Sequence, residues 1–262
     1  MKSLGIKIQI ATRQLIIAGM TISLVGCGQS IFSGFRKIDP AAEACRELEN
    51  NDPSAAISIL TSALESSPGN AQYLSILATA YAQRAGVDPL YLALNMSSNS
   101  STNSSALALA SAGSSSDFTA MFSLLPTPTQ SVLDDVDLAV TILTEQIDAA
   151  SRQPGDLFKG AIFMTASMVL HVKKLDVSGD GTLSVSDLAS MSEEDALAIL
   201  SNLSSAITLL GTTGSSDGGG EATAAAASST LEAFSSQITS SSGSTDVDKL
   251  RTYLSSSSSS NL

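Results

Sequence analysis

Twelve consecutive residues carry the densest chemistry in this chain. They read Asp176-Val177-Ser178-Gly179-Asp180-Gly181-Thr182-Leu183-Ser184-Val185-Ser186-Asp187. Oxygen-bearing side chains fall on Asp176, Ser178 and Asp180, then on Ser184 and Asp187, with Gly181 where the chain must turn sharply. A calcium ion takes six to eight hard oxygen ligands. Three carboxylates, hydroxyls, one backbone carbonyl and water can supply that number. The plainer reading of the same letters is a solvated Asp/Ser/Gly turn.

The second chemical candidate is Cys27. It follows Leu15 to Val25, LIIAGMTISLV, eleven uncharged and mostly apolar residues, and Lys2, Lys7 and Arg13 precede them. Eleven residues match the apolar core of a signal peptide and are too few to cross a bilayer. The stretch closes on Leu24-Val25-Gly26-Cys27, which resembles a bacterial lipobox. The resemblance implies a diacylglyceryl lipid on the Cys27 sulfur, cleavage after Gly26 and attachment to a membrane. Gly28 in place of an Asp after the cysteine implies outer-membrane delivery, with the body facing the periplasm or the cell surface. The other reading is an ordinary signal peptide or uncleaved anchor with a chance cysteine.

The Asp176–Asp187 stretch resembles an EF-hand loop, most closely the dockerin version that ends in Asp. The resemblance implies a calcium ligand set of Asp176, Ser178, Asp180, the Thr182 carbonyl, Ser184 through water, and Asp187 at the twelfth position. Leu183 is the implied apolar pin. EF-hands and dockerins pair two loops and this chain has one, so the dockerin's partner binding is not carried over. A lone site with a Kd on the order of 10⁻⁴–10⁻³ M suits a structural brace.

Other chemistry finds little support. His171 is the only histidine, and it is expected near a helix end, where the negative end of the helix favours a cation. No G-x-S-x-G elbow, P-loop or dinucleotide fingerprint occurs. Acid pairs Asp134-Asp135 and Glu193-Glu194 are expected at helix starts, and Ser192 with Asp195 fits a capping pattern. An enzyme is therefore not expected.

The net charge is −12. Removing the leader, with its three cations and no acids, takes it to −15. Such a surface repels phosphate backbones, so nucleic-acid binding is not expected. With Cys27 lipidated, Cys45 has no disulfide partner in the chain and is expected to pack as a small apolar residue.

These groups must be held by helices. Hydrophobic residues make up 43%, aromatics 4%, and Trp is absent, a palette of Leu, Ile, Val, Ala and Met that favours packed helices over strands. Asp39-Pro40 and Asp52-Pro53 read as caps with first-turn prolines. They open helices over 41–50 and Ser54–Ser66, and a third runs from Ala71 to about Arg84. Ala44, Ala56, Leu60, Ala63 and Pro68, then Asn70, Leu77, Ala78 and Tyr81, fall at spacings that resemble a tetratricopeptide repeat. A second copy aligns Ala56–Thr61 with Ala139–Thr144, Pro68-Gly69-Asn70 with Pro154-Gly155-Asp156, and Thr79-Ala80 with Thr165-Ala166. A weaker echo runs from Asp195 through Ile207. Repetition of helix pairs is the mark of α-solenoids.

The expected organisation is a signal peptide over 1–26, a lipidated tether over 27–38 and an all-α, TPR-like body over 39–210. The body carries a Ser-rich insertion near 95–116 and the loop at 176–187. A flexible linker over 211–227, C-terminal helices over 228–254 and a disordered tail over 255–262 complete the chain. Helices are also expected within 106–125, 194–210, 228–239 and 245–254. The functional expectation is a non-enzymatic, membrane-anchored scaffold or adaptor for an envelope protein. The alternative is a small-ligand-binding or accessory component of an envelope transport system.

Overall fold

A computed structural model describes residues 39–89, 92, 122, 124–179, 183–213 and 221–259. Among them every regular element is helical, and no strand occurs. The fold is all-α. Cys27, the tether, the Ser-rich insertion near 95–116, and residues 180–182 lie outside the described residues.

The first three helices start where short polar side chains can cap them. Asp39 accepts from the Ala41 amide at 3.1 Å ahead of α1 (Pro40–Glu49). Asp52 accepts from the Ala55 amide at 3.0 Å ahead of α2 (Pro53–Ser66). Asn70 accepts from the Gln72 and Tyr73 amides ahead of α3 (Ala71–Arg84). Each cap satisfies donors that the first helical turn leaves unpaired. Helix α3 ends in a Schellman motif: Gly86 takes φ +79°, its amide bonds the Gln83 carbonyl, and the Val87 amide reaches Ala82.

Helix α4 (Gln130–Thr141) runs into a π-turn, Ile142–Gln146, whose wider spacing is closed by the Ile147 amide on the Ile142 carbonyl. Arg152 folds back and donates to the Thr144 and Ile147 carbonyls, satisfying acceptors that a helix end would leave open. Helix α5 (Pro154–Leu175) is the centre of the molecule. From Gly160 to Leu170 every residue is buried, as expected of a helix enclosed by its neighbours. After the loop come α6 (Val185–Ala189), α7 (Glu193–Thr213), α8 (Glu221–Ser240) and α9 (Asp246–Ser259).

Helices consecutive in sequence pack on one another, from α1 on α2 to α4 on α5, and α1 also touches α3. The largest interface joins α5 to α7; α8 then covers α7, and α9 packs on α8, α7 and α6. Gly160 permits the close approach of α5 and α7, since a Cβ there would lie 3.2 Å from Leu209 Cδ1. Over Glu193–Thr212, α7 is long and apolar enough to cross a membrane. Its stripe of Ala196, Ile199, Leu203, Ala206 and Leu210 is instead buried in the core.

Several expectations are corrected. The linker expected over 211–227 is helical where it is described, because α7 extends to Thr213 and α8 begins at Glu221. Ala224 and Ala227 bury there and draw the chain into helix. The tail is helical through Ser259; Ser255 and Ser256 donate to the carbonyls three residues back. Pro154-Gly155 is not a turn equivalent to Pro68-Gly69. Gly69 turns with φ +81°, whereas Pro154 is the first residue of α5 and Gly155 continues that helix. Asp134 and Asp135 lie in the second turn of α4, not at its start. Asp135 there takes a two-pronged bond from Arg84 of α3, at 2.8 and 2.5 Å. Cys45 is half-buried rather than enclosed.

Candidate calcium loop and the polar cluster beside it

Helix α5 delivers Asp176 at its C-cap. Asp176 Oδ1 accepts from Ser178 Oγ at 2.9 Å and from the Gly179 amide at 2.8 Å, a tight turn about one carboxylate oxygen. Gly179 completes the reversal at φ +70°, a conformation that a Cβ would strain. Asp180 and Thr182 fall outside the described residues, so Asp176, Ser178, Ser184 and Asp187 are the expected ligands that the structure places.

On the far side Leu183 is buried, as an apolar pin should be. Ser184 caps α6. Its hydroxyl accepts from the Asp187 amide at 3.2 Å, and Asp187 Oδ2 accepts from the Ser184 amide at 2.8 Å. This reciprocal pair is a capping box. Asp187 is itself buried, and the Ser184 hydroxyl stands 2.6 Å from it. The leaving helix is only five residues long. Among the described residues no group of three His, Cys, Asp or Glu side chains is placed to hold a metal. The set that fits calcium needs Asp180 as its third carboxylate.

One turn before the loop, α5 carries His171. Sequence spacing suggests a helix-end residue answering the dipole; the structure gives it two carboxylate partners from other helices. Nδ1 lies 3.3 Å from Asp195 Oδ1 of α7, and Nε2 lies 3.8 Å from Asp137 Oδ2 of α4. The imidazole is 12% exposed and Asp195 11%, while Asp137 is half exposed. Lys174 donates to Asp195 at 2.9 Å and Ser192 donates at 2.6 Å. Ser192 also caps α7 by accepting from the Asp195 amide, as its spacing predicts. Ser167 donates to Asp137 at 2.6 Å and accepts from Asn202 at 2.9 Å.

Burial acts most strongly on the His171 pKa and lowers it, but the bonds and charges of Asp137 and Asp195 together win, leaving it above its ordinary value. Burial pushes both carboxylates up. The nearby His171 and the bond from Ser167 at Asp137, and the bonds from Ser192, Lys174 and His171 at Asp195, hold them below the usual range. Sequence reasoning missed Asp137, Ser167, Asp195 and Asn202 as partners. One local signal exists: Ser167 and His171 are four apart and share a face of α5.

Two further contacts bear on chemistry. Lys173 donates to the carbonyls of Phe122 and Leu125, each at 2.7 Å. Burial lowers its pKa against the pull of Asp176. Between α3 and α5, the Ser75 hydroxyl lies 2.5 Å from Asp156 and also contacts Lys159. A serine beside a lysine can be a nucleophile with its base. Here Lys159 is ion-paired with Asp156 at 3.4 Å, and an ammonium has no lone pair to take the hydroxyl proton. The trio acts as a clasp between two helices.

Comparison of the chain with family models, with curated proteins and with solved structures returns no match.

Proposed function

We propose that this chain is a non-enzymatic envelope lipoprotein, held on a membrane by a lipid on Cys27, whose helical body serves as a scaffold for a protein partner. The observation that carries the reading is Leu24-Val25-Gly26-Cys27 at the end of an eleven-residue apolar core. Two or more acyl chains would make the attachment stable, since each buried CH₂ contributes about 0.8 kcal/mol. Helix α1 begins at Pro40, and a tether over 27–38 would span at most ~40 Å when extended.

The body suits a scaffold. From α1 to α5 consecutive helices pack as neighbours, as in a helical-repeat protein, while α5 and α7 pack across the short α6. The proposed copies share more than letters. Ala56 and Ala139 are both fully buried, as are Ala80 and its counterpart Ala166. Thr79 and Thr165 each donate to the carbonyl four residues back. A calcium ion at Asp176–Asp187 would brace the joint between α5 and α6 in a compartment where calcium can be plentiful.

Replacing Cys27 with Ser in the native host tests the anchor. The expected result is loss of radiolabelled fatty acid and release of the chain from the membrane fraction. Labelling or membrane retention equal to the parent would overturn it.

A further inference from the structure

We infer that His171 is a pH-operated bolt: its imidazolium ties α4 and α7 to α5 through Asp137 and Asp195, and loss of its proton removes the charged tie to α4.

The ring stands between two carboxylates, with Nδ1 at hydrogen-bonding distance from Asp195 (3.3 Å) and Nε2 at ion-pair distance from Asp137 (3.8 Å), and only a charged ring attracts both. A neutral imidazole has one N–H and one lone pair, so it can donate to one carboxylate only. The other ring nitrogen would then face a carboxylate oxygen lone pair to lone pair. Asp195 keeps donors in either state, because Lys174 and Ser192 both bond it. It is also the nearer partner, at 3.3 Å against 3.8 Å, and much the more buried. The remaining N–H therefore stays on Asp195. Asp137 keeps the Ser167 hydroxyl on Oδ1 and is half exposed, so water can take up the freed Oδ2, and α4 loses its charged tie to the core helix.

The charged groups facing the ring are Asp137 from α4 and Asp195 from α7, with Lys174 of α5 acting through Asp195. The sign follows from the shifts. A His pKa raised above 6.5 gives stability that is complete below 6.5 and is lost as pH rises through the folded value. Asp137 and Asp195, both depressed below 3.8, give stability present above 3.8 and lost only as pH falls through their folded values. The bolt is thus shut in mildly acidic solution and opens on the alkaline side.

The chain has one histidine, so its titration is unambiguous. The full chain, without a histidine tag and in detergent micelles, would be labelled at histidine with ¹³C and titrated by NMR. The expected midpoint lies above 6.5, and Asp137→Asn lowers it. Thermal melts from pH 5 to 9 are expected to show a fall in Tm through that midpoint, and His171→Gln removes that step. A midpoint at or below 6.5 would overturn the inference, as would the same step in His171→Gln. The NMR measurement needs no variant, so an unfolded mutant does not shield the idea.

Discussion

Calcium should raise the melting temperature of this protein, and the size of the effect can be worked out. For a site with a Kd of about 10⁻⁴–10⁻³ M, calcium at ~10 mM stabilises the folded state by RT ln(1 + [L]/Kd), or about 1.4–2.7 kcal/mol. In a chain of this size each kcal/mol moves Tm by about 2–4 °C, so a rise of about 3–11 °C is expected. The structure indicates which variant is cleanest. Asp176 Oδ1 organises the turn by accepting from Ser178 and Gly179. Asp176→Asn keeps an oxygen for those two donors and removes the charge. It should melt like the parent without calcium and show a smaller rise with it. Asp187→Ala is less clean, because it also destroys the Ser184 capping box, worth about 0.5–2 kcal/mol before any metal is added. The assay is a thermal melt by circular dichroism, with magnesium at equal concentration as the control. A chain of net charge −12 gains stability from any divalent screen, but magnesium sheds its water reluctantly and fits an all-protein oxygen cage poorly. An equal rise with magnesium, or an undiminished one in Asp176→Ala/Asp180→Ala, would refute the site.

Two further outcomes concern the body. Phe163→Ala, at a fully buried position on α5, should cost about 3–5 kcal/mol, read as a lower urea midpoint at unchanged slope. Gly86→Ala leaves its Cβ in ordinary contact with Pro126 at 3.5 Å, so its cost is backbone strain at φ +79°, about 1–2 kcal/mol in the same urea titration.

Much of the helical framework was legible because helix starts are local. Asp39 and Asp52, each followed by a proline, announce a helix within three residues, and each does cap one. The C-terminal region was misread because its order is tertiary. A run of serines has little intrinsic drive to form helix. Yet Leu250, Tyr253 and Leu254 are buried, and the Tyr253 ring meets Phe234 edge-on at 5.3 Å. That anchoring carries the helix onward to Ser259, and the hydroxyls of Ser255 and Ser256 donate to their own backbone. The His171 cluster was hidden for the complementary reason. Asp195 lies 24 residues away in sequence, and Asp137 lies in another helix on the opposite side. No period or spacing joins an acid in α4 to a histidine in α5. The Pro-Gly pairs mislead differently, since proline is at home both in a turn and at the first position of a helix.

The loop and the bolt share one helix end, and electrostatics explains why they are compatible. The C-terminus of α5 presents carbonyl oxygens equivalent to about half a negative charge, and Asp176 adds a carboxylate there. A cation is favoured at that point on both counts. Lys173 and Lys174 stand in the same last turn, and loose ammonium groups would compete with a divalent ion for Asp176. Each is engaged elsewhere. Lys173 is drawn to the Phe122 and Leu125 carbonyls, and Lys174 is drawn to Asp195. The carboxylate that receives the His171 proton bond thus also holds Lys174 on the α7 side, leaving Asp176 to organise the loop. Asp195 is therefore the residue through which the histidine, the second lysine and the capping serine of α7 are all fixed.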